Sequence, residues 1–220
     1  TGIALARTGA STDADEIRQR VQRAVLGELE LLLAPEFFTN WAAEQSSVAG
    51  VDIEVKRGEA DNELTRYRYD VIVHKAPAAV CSMAGIPVWA WDECAGLSGL
   101  HAELTAQHPD AVRVTAIPRT GVITDVGIEQ ALAAGHPVDQ ACAHAEEGAA
   151  SGTATPEQLY RLGAEAGYHV AVTWGSQPGT LDAVFNSPEN RWPGSVLTDV
   201  YLPSAEAGRR GGYANDPDAN

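Results

Sequence analysis

A short polar and aromatic run in the first third of the chain carries the groups best suited to act on an amine. Residues 62–70 read Asn-Glu-Leu-Thr-Arg-Tyr-Arg-Tyr-Asp. The Glu63 carboxylate can hold an amine by charge and hydrogen bonding. Tyr67 and Tyr69 can form the walls of a pocket and present their ring faces to a cationic group. We therefore take Glu63, Tyr67 and Tyr69 as candidate catalytic residues, with Asn62 beside them as a candidate substrate-binding residue.

The same run has a simpler interpretation, which the sequence leaves open. Arg66 and Arg68 can pair with Asp61 and Glu63 in an ordinary solvated loop.

Phe37 and Phe38 are two further candidates for substrate binding. With Trp41 they recur at helical spacing. Aromatic side chains at that spacing also occur commonly in a hydrophobic core, so a structural role stays open.

Other familiar chemistries are not indicated. The chain has no Gly-x-Gly-x-x-Gly loop, Walker loop, His-Glu-x-x-His, Cys-x-x-Cys or Gly-x-Ser-x-Gly motif. His136 and His144 flank Cys142 on an acidic segment, where we expect surface residues and no metal site. Cys94 follows Asp92 and Glu93, whose charges disfavour a thiolate. A free-standing enzyme using Cys94 or His144 is therefore the weakest interpretation.

The elements that must position the candidate residues are an antiparallel hairpin and two helices before it. Apolar and polar residues alternate over 51–55 and again over 67–73, which predicts two strands joined by a long, functional loop. Asp13, with Glu16 three residues later, predicts the start of the first helix. The second is expected over residues 36–46.

Beyond residue 76 the pattern predicts a small α/β unit over residues 77–186. Strands are expected at 86–91, 111–117, 168–174 and 181–185, and helices near 97–104, 126–135 and 156–166. The segment 139–147 is a weaker helix candidate. Residues 187–220 are rich in Pro, Gly, Asn and Asp and are expected to form a loop-like linker.

Composition limits the partners. With 15 basic and 30 acidic residues the net charge is −15, which disfavours nucleic-acid and anionic-membrane binding. No transmembrane helix or secretory signal is evident. Three scattered cysteines favour a reducing, cytoplasmic location. Because the chain begins at Thr1, we expect both ends to continue into a longer protein.

Five stretches of the chain resemble one known family. They are residues 28–38 (ELELLLAPEFF), 55–58 (VKRG), 62–74 (NELTRYRYDVIVH), 159–185 and 213–217 (YANDP). They are similar to the C-terminal part of the S-adenosylmethionine-dependent methyltransferase domain inserted in adenylation domains of nonribosomal peptide synthetases. The run 62–74 is the most specific of the five.

The resemblance implies a class I, Rossmann-like α/β methyltransferase fold. Residues 1–76 would supply its last helices and its final antiparallel hairpin, 77–186 an appended α/β subdomain, and 187–220 the return towards the adenylation domain. The family holds its cofactor on a Gly-rich loop and an acidic residue in the N-terminal half. Neither motif occurs here, so we assign no cofactor-binding residue and expect the isolated chain to be inactive.

Two functions follow from the resemblance as expectations. In the first, the chain helps to methylate the α-amine of an amino acid carried on the phosphopantetheine of a carrier domain, with adenylation and carrier domains as partners. In the second, residues 77–186 form a non-catalytic spacer that orients the inserted domain.

Overall fold

A computed structural model describes residues 13–27, 29–149, 152–190, 195–203 and 214. The helices are α1 (Ala14–Leu26), α2 (Pro35–Ala43), α3 (Glu63–Tyr67), α4 (Gly96–Gln107), α5 (Ile123–Ala133), α6 (Val138–Ala149) and α7 (Pro156–Glu165). The strands are β1 (Val48–Val55), β2 (Tyr69–Lys75), β3 (Val80–Ser82), β4 (Val88–Ala90), β5 (Ala111–Pro118), β6 (His169–Trp174), β7 (Thr180–Asn186) and β8 (Val196–Thr198). The mixed α/β class is confirmed.

The predicted hairpin is present as β1 and β2. The two strands pair antiparallel, with Val51 opposite Val73 and Val55 opposite Tyr69. The connection between them differs from the prediction because it contains α3. Tyr67, which was expected in the second strand, is the last residue of this helix. The expected alternation therefore begins only at Tyr69.

Strands β4, β5, β6 and β7 form a four-stranded sheet in the order β4-β5-β7-β6. We call this sheet and the helices packed on it the second α/β unit. β4 and β5 are parallel and are connected through α4, whereas β7 runs antiparallel to both β5 and β6. A capping box starts α7, as the sequence predicts: Thr155 accepts from the Gln158 amide while Gln158 accepts from the Thr155 amide. Gly167 follows the helix with φ +83°, as expected of a left-handed cap.

The prediction that residues 187–220 form only a loop is wrong for part of the segment. β8 pairs in parallel with β3, over a hundred residues earlier in the chain. The buried Arg113 guanidinium holds the segment after β8 beside the segment after β3. It donates to the Val200 carbonyl at 2.5 Å, the Asp199 carbonyl at 2.8 Å and the Met83 carbonyl at 3.1 Å. These contacts depend on distant backbone and cannot be seen in local composition.

The hydrophobic core lies mainly on one face of the four-stranded sheet, under α4 and α7. Val55 of the hairpin joins this core, so β1 packs into the second unit. A second cluster joins α1 to the helix pair α5 and α6, with Ile17 as the buried residue from α1. Asp13 caps α1 as predicted, because its Oδ1 accepts from the amides of Asp15 and Glu16 at 2.9 and 3.3 Å. Among the described residues, none of the helices combines the length and apolar character needed to cross a membrane.

Candidate functional site

A short helix carries the polar run that the sequence singled out. α3 begins with a reciprocal cap: the Asn62 side chain accepts from the Thr65 amide at 3.2 Å, and the Thr65 hydroxyl accepts from the Asn62 amide at 3.1 Å. The Thr65 hydroxyl also donates to the Ala60 carbonyl at 2.7 Å. These bonds satisfy the amides of Asn62 and Thr65 and tie the preceding loop to the helix.

The helix and β2 form one side of an open cavity of about 580 Å³. Its other side is formed by residues 30–33, which precede α2, and by Phe38 of α2. The complete lining is Glu30, Leu31, Leu32, Leu33, Phe38, Glu63, Tyr67, Arg68, Tyr69 and Val71. The structure thus brings together four of the predicted site residues: Glu63, Tyr67, Tyr69 and Phe38.

The other two predicted residues lie outside the cavity lining. Asn62 uses its side chain to cap α3. Phe37 packs edge-on against Phe38, with ring centroids 5.2 Å apart. It is partly exposed, as is Trp41, and no residue of α2 is buried. The alternative of a fully buried aromatic helix is therefore not what the structure shows.

Charged groups ring the cavity, while its wall is apolar. Arg68 donates to Glu30, and its Nη2 lies 3.8 Å from Glu63 Oε1. The Glu63 side chain is 77% exposed and is therefore accessible to a ligand. Leu31, Leu32 and Leu33 supply the apolar surface opposite. Two carboxylates and one guanidinium leave the rim with an excess negative charge that favours a cationic or amine-bearing ligand.

Tyr69 joins the two sides of the cavity. Its hydroxyl donates to the Leu33 carbonyl, and its ring lies edge-on to Phe38 at 6.4 Å between centroids. Burial raises the pKa of the phenol above its ordinary value, and the nearby Glu36 carboxylate raises it further. Tyr69 thus stays protonated at neutral pH and acts here as a hydrogen-bond donor and pocket wall.

The simpler interpretation of the run is also present in the structure. The Arg66 guanidinium donates two hydrogen bonds to the Asp61 carboxylate, of 2.7 and 2.5 Å. This pairing and the cavity coexist, because Arg66 lies outside the cavity lining whereas Glu63 lies on it.

Glu30 and the three leucines were missed as site residues. Their only sequence signal was their place in the run 28–38, which carried the resemblance without a role. The Leu33 carbonyl accepts from the Tyr69 hydroxyl, and Glu30 accepts from Arg68. Both hydrogen bonds join segments more than 30 residues apart, so local sequence does not reveal them.

The cysteine and histidine candidates lie away from the cavity lining. The Cys94 thiol is buried and donates to the Ala90 carbonyl at 3.3 Å. Burial, followed by the charges of Glu103, Glu93 and Asp92, raises the pKa of the thiol. The His136 and His144 rings lie 5.5 Å apart, with His144 exposed and His136 partly buried. Across the described part of the chain, no group of three His, Cys, Asp or Glu side chains could hold a metal ion.

The crevice at the ends of β4 and β5 does not fit S-adenosylmethionine. In a parallel βαβ unit the ligand crevice lies at the carboxyl ends of the strands. Here β4 is followed directly by Trp91, whose indole is 3% exposed and donates to the Gly152 carbonyl at 3.3 Å. At the end of β5, a Cβ on Gly121 would lie 2.8 Å from an Asp61 oxygen and 2.9 Å from an Arg66 nitrogen. Protein side chains thus occupy both places.

Known proteins similar to this chain are peptide synthetases. A probable non-canonical nonribosomal peptide synthetase of Salinispora arenicola is 33% identical over 189 residues, which are 86% of this chain and 2% of that protein. Chondramide synthase of Chondromyces crocatus is 28% identical over 227 residues, covering 98% and 6%. A peramine synthetase of Metarhizium majus is 31% identical over 202 residues, covering 83% and 7%.

The chain therefore spans only a few per cent of the length of these relatives. No family model matches it. The similarity relates the chain to a segment of nonribosomal peptide synthetases.

Proposed function

We propose that this chain is the acceptor-side portion of a methyltransferase domain within a peptide synthetase. In that setting it binds an amino acid tethered to a carrier domain and assists methylation of its α-amine. The observation that carries the proposal is the convergence of Glu63, Tyr67 and Tyr69 on one cavity with an apolar wall. The similarity to peptide synthetases supplies the context in which tethered amino acids are the substrates.

Glu63 is the residue proposed to handle the amine. Only a neutral amine has the lone pair that can attack a methyl group, so a proton must leave the ammonium form. An exposed carboxylate on the cavity rim can accept that proton or hold the N–H by a hydrogen bond. The tyrosine rings beside it favour a cation while the proton is still bound.

The apolar part of the cavity is proposed to hold the rest of the amino acid. Phe38, Val71 and the leucines of residues 31–33 face this space. Burial of an apolar side chain there would orient the amine towards the charged rim, and orientation is a major source of rate in group transfer.

The methyl donor is proposed to bind a part of the synthetase outside this chain. Side chains fill the crevice at the ends of β4 and β5, so we derive no step on the methyl donor from this chain. The free edge of β2 supports a continuing sheet: in the described part of the chain β2 pairs only with β1, and Ile72 and Val73 are exposed on it. Such an edge is suited to receive another strand.

The experiment compares Glu63→Gln with wild type in the parent synthetase. Methyl transfer from radiolabelled S-adenosylmethionine to the carrier-bound amino acid is measured beside amino-acid adenylation. We expect methylation to fall by roughly 100-fold, the usual scale for loss of acid–base assistance. Adenylation should be unchanged. Glu146→Gln on α6, which lies outside the cavity lining, is the matched control.

Two results would count against the proposal. If wild-type synthetase leaves the amine unmethylated, the function is wrong. If it methylates and Glu63→Gln does so at the same rate, Glu63 is removed from the site.

A further inference from the structure

One buried arginine of the second α/β unit reaches the helix that carries Glu63. Arg119 follows β5 and is 2% exposed. Its Nη2 donates to the carbonyl of Thr65, in the middle of α3, and its Nη1 donates to its neighbour Thr120 at 3.1 Å. The Arg119 amide is also fixed, because it donates to the Gly179 carbonyl at 3.0 Å. The turn at Arg119 is therefore fixed by backbone hydrogen bonding, and its guanidinium binds α3.

A second link joins the loop before α3 to helix α7. Glu157 accepts from Arg57 through bonds of 2.7 and 3.3 Å and from Arg161 at 3.2 Å. Arg161 also reaches back to Glu59 in the same loop. The Arg57 guanidinium lies 4.6 Å above the Tyr160 ring, and the Tyr160 hydroxyl donates to Glu54 of β1 at 2.6 Å.

A helix of five residues needs such support. Isolated helices of this length are unstable in water, because the cost of nucleation is not recovered by so few hydrogen bonds. α3 has no buried residue of its own. Its cap fixes its first turn, but its place relative to the cavity must come from contacts with other elements.

We propose that the second α/β unit positions the Glu63 helix, with Arg119 and Glu157 as positioning residues for the amine site. The inference rests on the proposed function and deepens it: the unit that the sequence allowed as a spacer instead sets the geometry of the site. Neither residue lines the cavity, so both act through α3 and the loop before it.

The first test measures positioning directly. Hydrogen–deuterium exchange of the 220-residue chain is followed by mass spectrometry in wild type, Arg119→Met, Arg119→Lys and Glu157→Gln. We expect amides 64–68 to exchange about tenfold faster in Arg119→Met, the scale of one charge-assisted hydrogen bond. The strands β5 and β7 should stay protected. Arg119→Lys keeps a cationic donor and should restore part of the protection.

Glu157→Gln keeps the test decisive if Arg119→Met fails to fold. It leaves the sheet core intact, and we expect about threefold faster exchange over residues 57–68. Arg20→Met, which removes an exposed guanidinium paired with Glu16 on α1, is the control and should change nothing in this region. Unchanged exchange of α3 in both Arg119→Met and Glu157→Gln would overturn the inference.

The second test uses the parent synthetase. Misplaced α3 should lower kcat for methylation by about 10- to 100-fold in Arg119→Met, while KM for S-adenosylmethionine and the adenylation rate stay within twofold of wild type. A parallel loss of adenylation would indicate general damage and contradict a positioning role. If wild type does not methylate, the proposed function fails, and the exchange data still decide whether α3 is positioned by the second unit.

Discussion

Replacing the buried Asp52 by asparagine should stabilise the chain at alkaline pH. Asp52 lies on β1 and is 6% exposed, and its Oδ1 has no hydrogen-bond partner in the structure. Burial, together with the neighbouring Glu54 and Asp199 carboxylates, raises the pKa of the Asp52 carboxyl from its ordinary 3.8 to about 7. The folded state thus prefers the neutral form.

The magnitude follows from that change in pKa. Each tenfold change in protonation corresponds to about 1.4 kcal/mol, so keeping Asp52 ionised in the folded chain costs up to about 4 kcal/mol. The folded chain binds the proton more tightly than the unfolded one. The penalty is therefore absent below about pH 4, grows between pH 4 and 7 and is complete above pH 7.

The assay is urea unfolding of wild type and Asp52→Asn at pH 4, 6 and 8, followed by tryptophan fluorescence. We expect Asp52→Asn to be more stable by about 2–4 kcal/mol at pH 8, the lower value allowing for a poorly paired amide. The advantage should vanish by pH 4. Asp92→Asn, at an exposed aspartate, should show no such trend. A difference between Asp52→Asn and wild type that stays constant from pH 4 to pH 8 would refute the reasoning.

Two other regions give sharp expectations. Gly163 of α7 faces Val170, and a Cβ there would lie 2.0 Å from the Val170 methyl and 3.3 Å from the Phe185 ring. Gly163→Ala should therefore lower the free energy of unfolding by about 1–3 kcal/mol through overpacking. Urea unfolding measures this, and an unchanged midpoint would show that the helix can shift freely. The Cys94 thiol is buried and its pKa is raised. At neutral pH it should react with a thiol reagent far more slowly than the partly exposed Cys81 and Cys142. Mass spectrometry of labelled peptides measures the rates, and equal rates in the folded chain would contradict this placement.

Several features of the fold could be predicted because their causes are local. The caps at Asp13 and Thr155 need only side chains three residues apart. The alternation of apolar and polar residues marked β1 as a strand, but it did not reveal that Asp52 is buried on the face opposite Ile53. The left-handed residue Gly167 was likewise predictable from its place after the helix.

The candidate site was only partly predictable, because only some of its residues are neighbours in the sequence. The polar run identified Glu63, Tyr67 and Tyr69, which the structure places on one cavity. The short helix α3 was missed because the alternation of Tyr67 and Tyr69 suggested a strand. The cap that starts the helix is formed by Asn62 and Thr65. The roles of these residues remain proposals.

Residues 1–220 by themselves determined the α/β class, the hairpin, most helices and the run that carries Glu63, since each depends on the period or spacing of neighbouring residues. Only the tertiary structure decided that the Leu33 backbone meets Tyr69, that β8 pairs with β3, that Arg119 holds α3 and that Asp52 is buried beside other carboxylates. These features join segments far apart in the chain, where burial and backbone hydrogen bonding leave no periodic trace in the sequence.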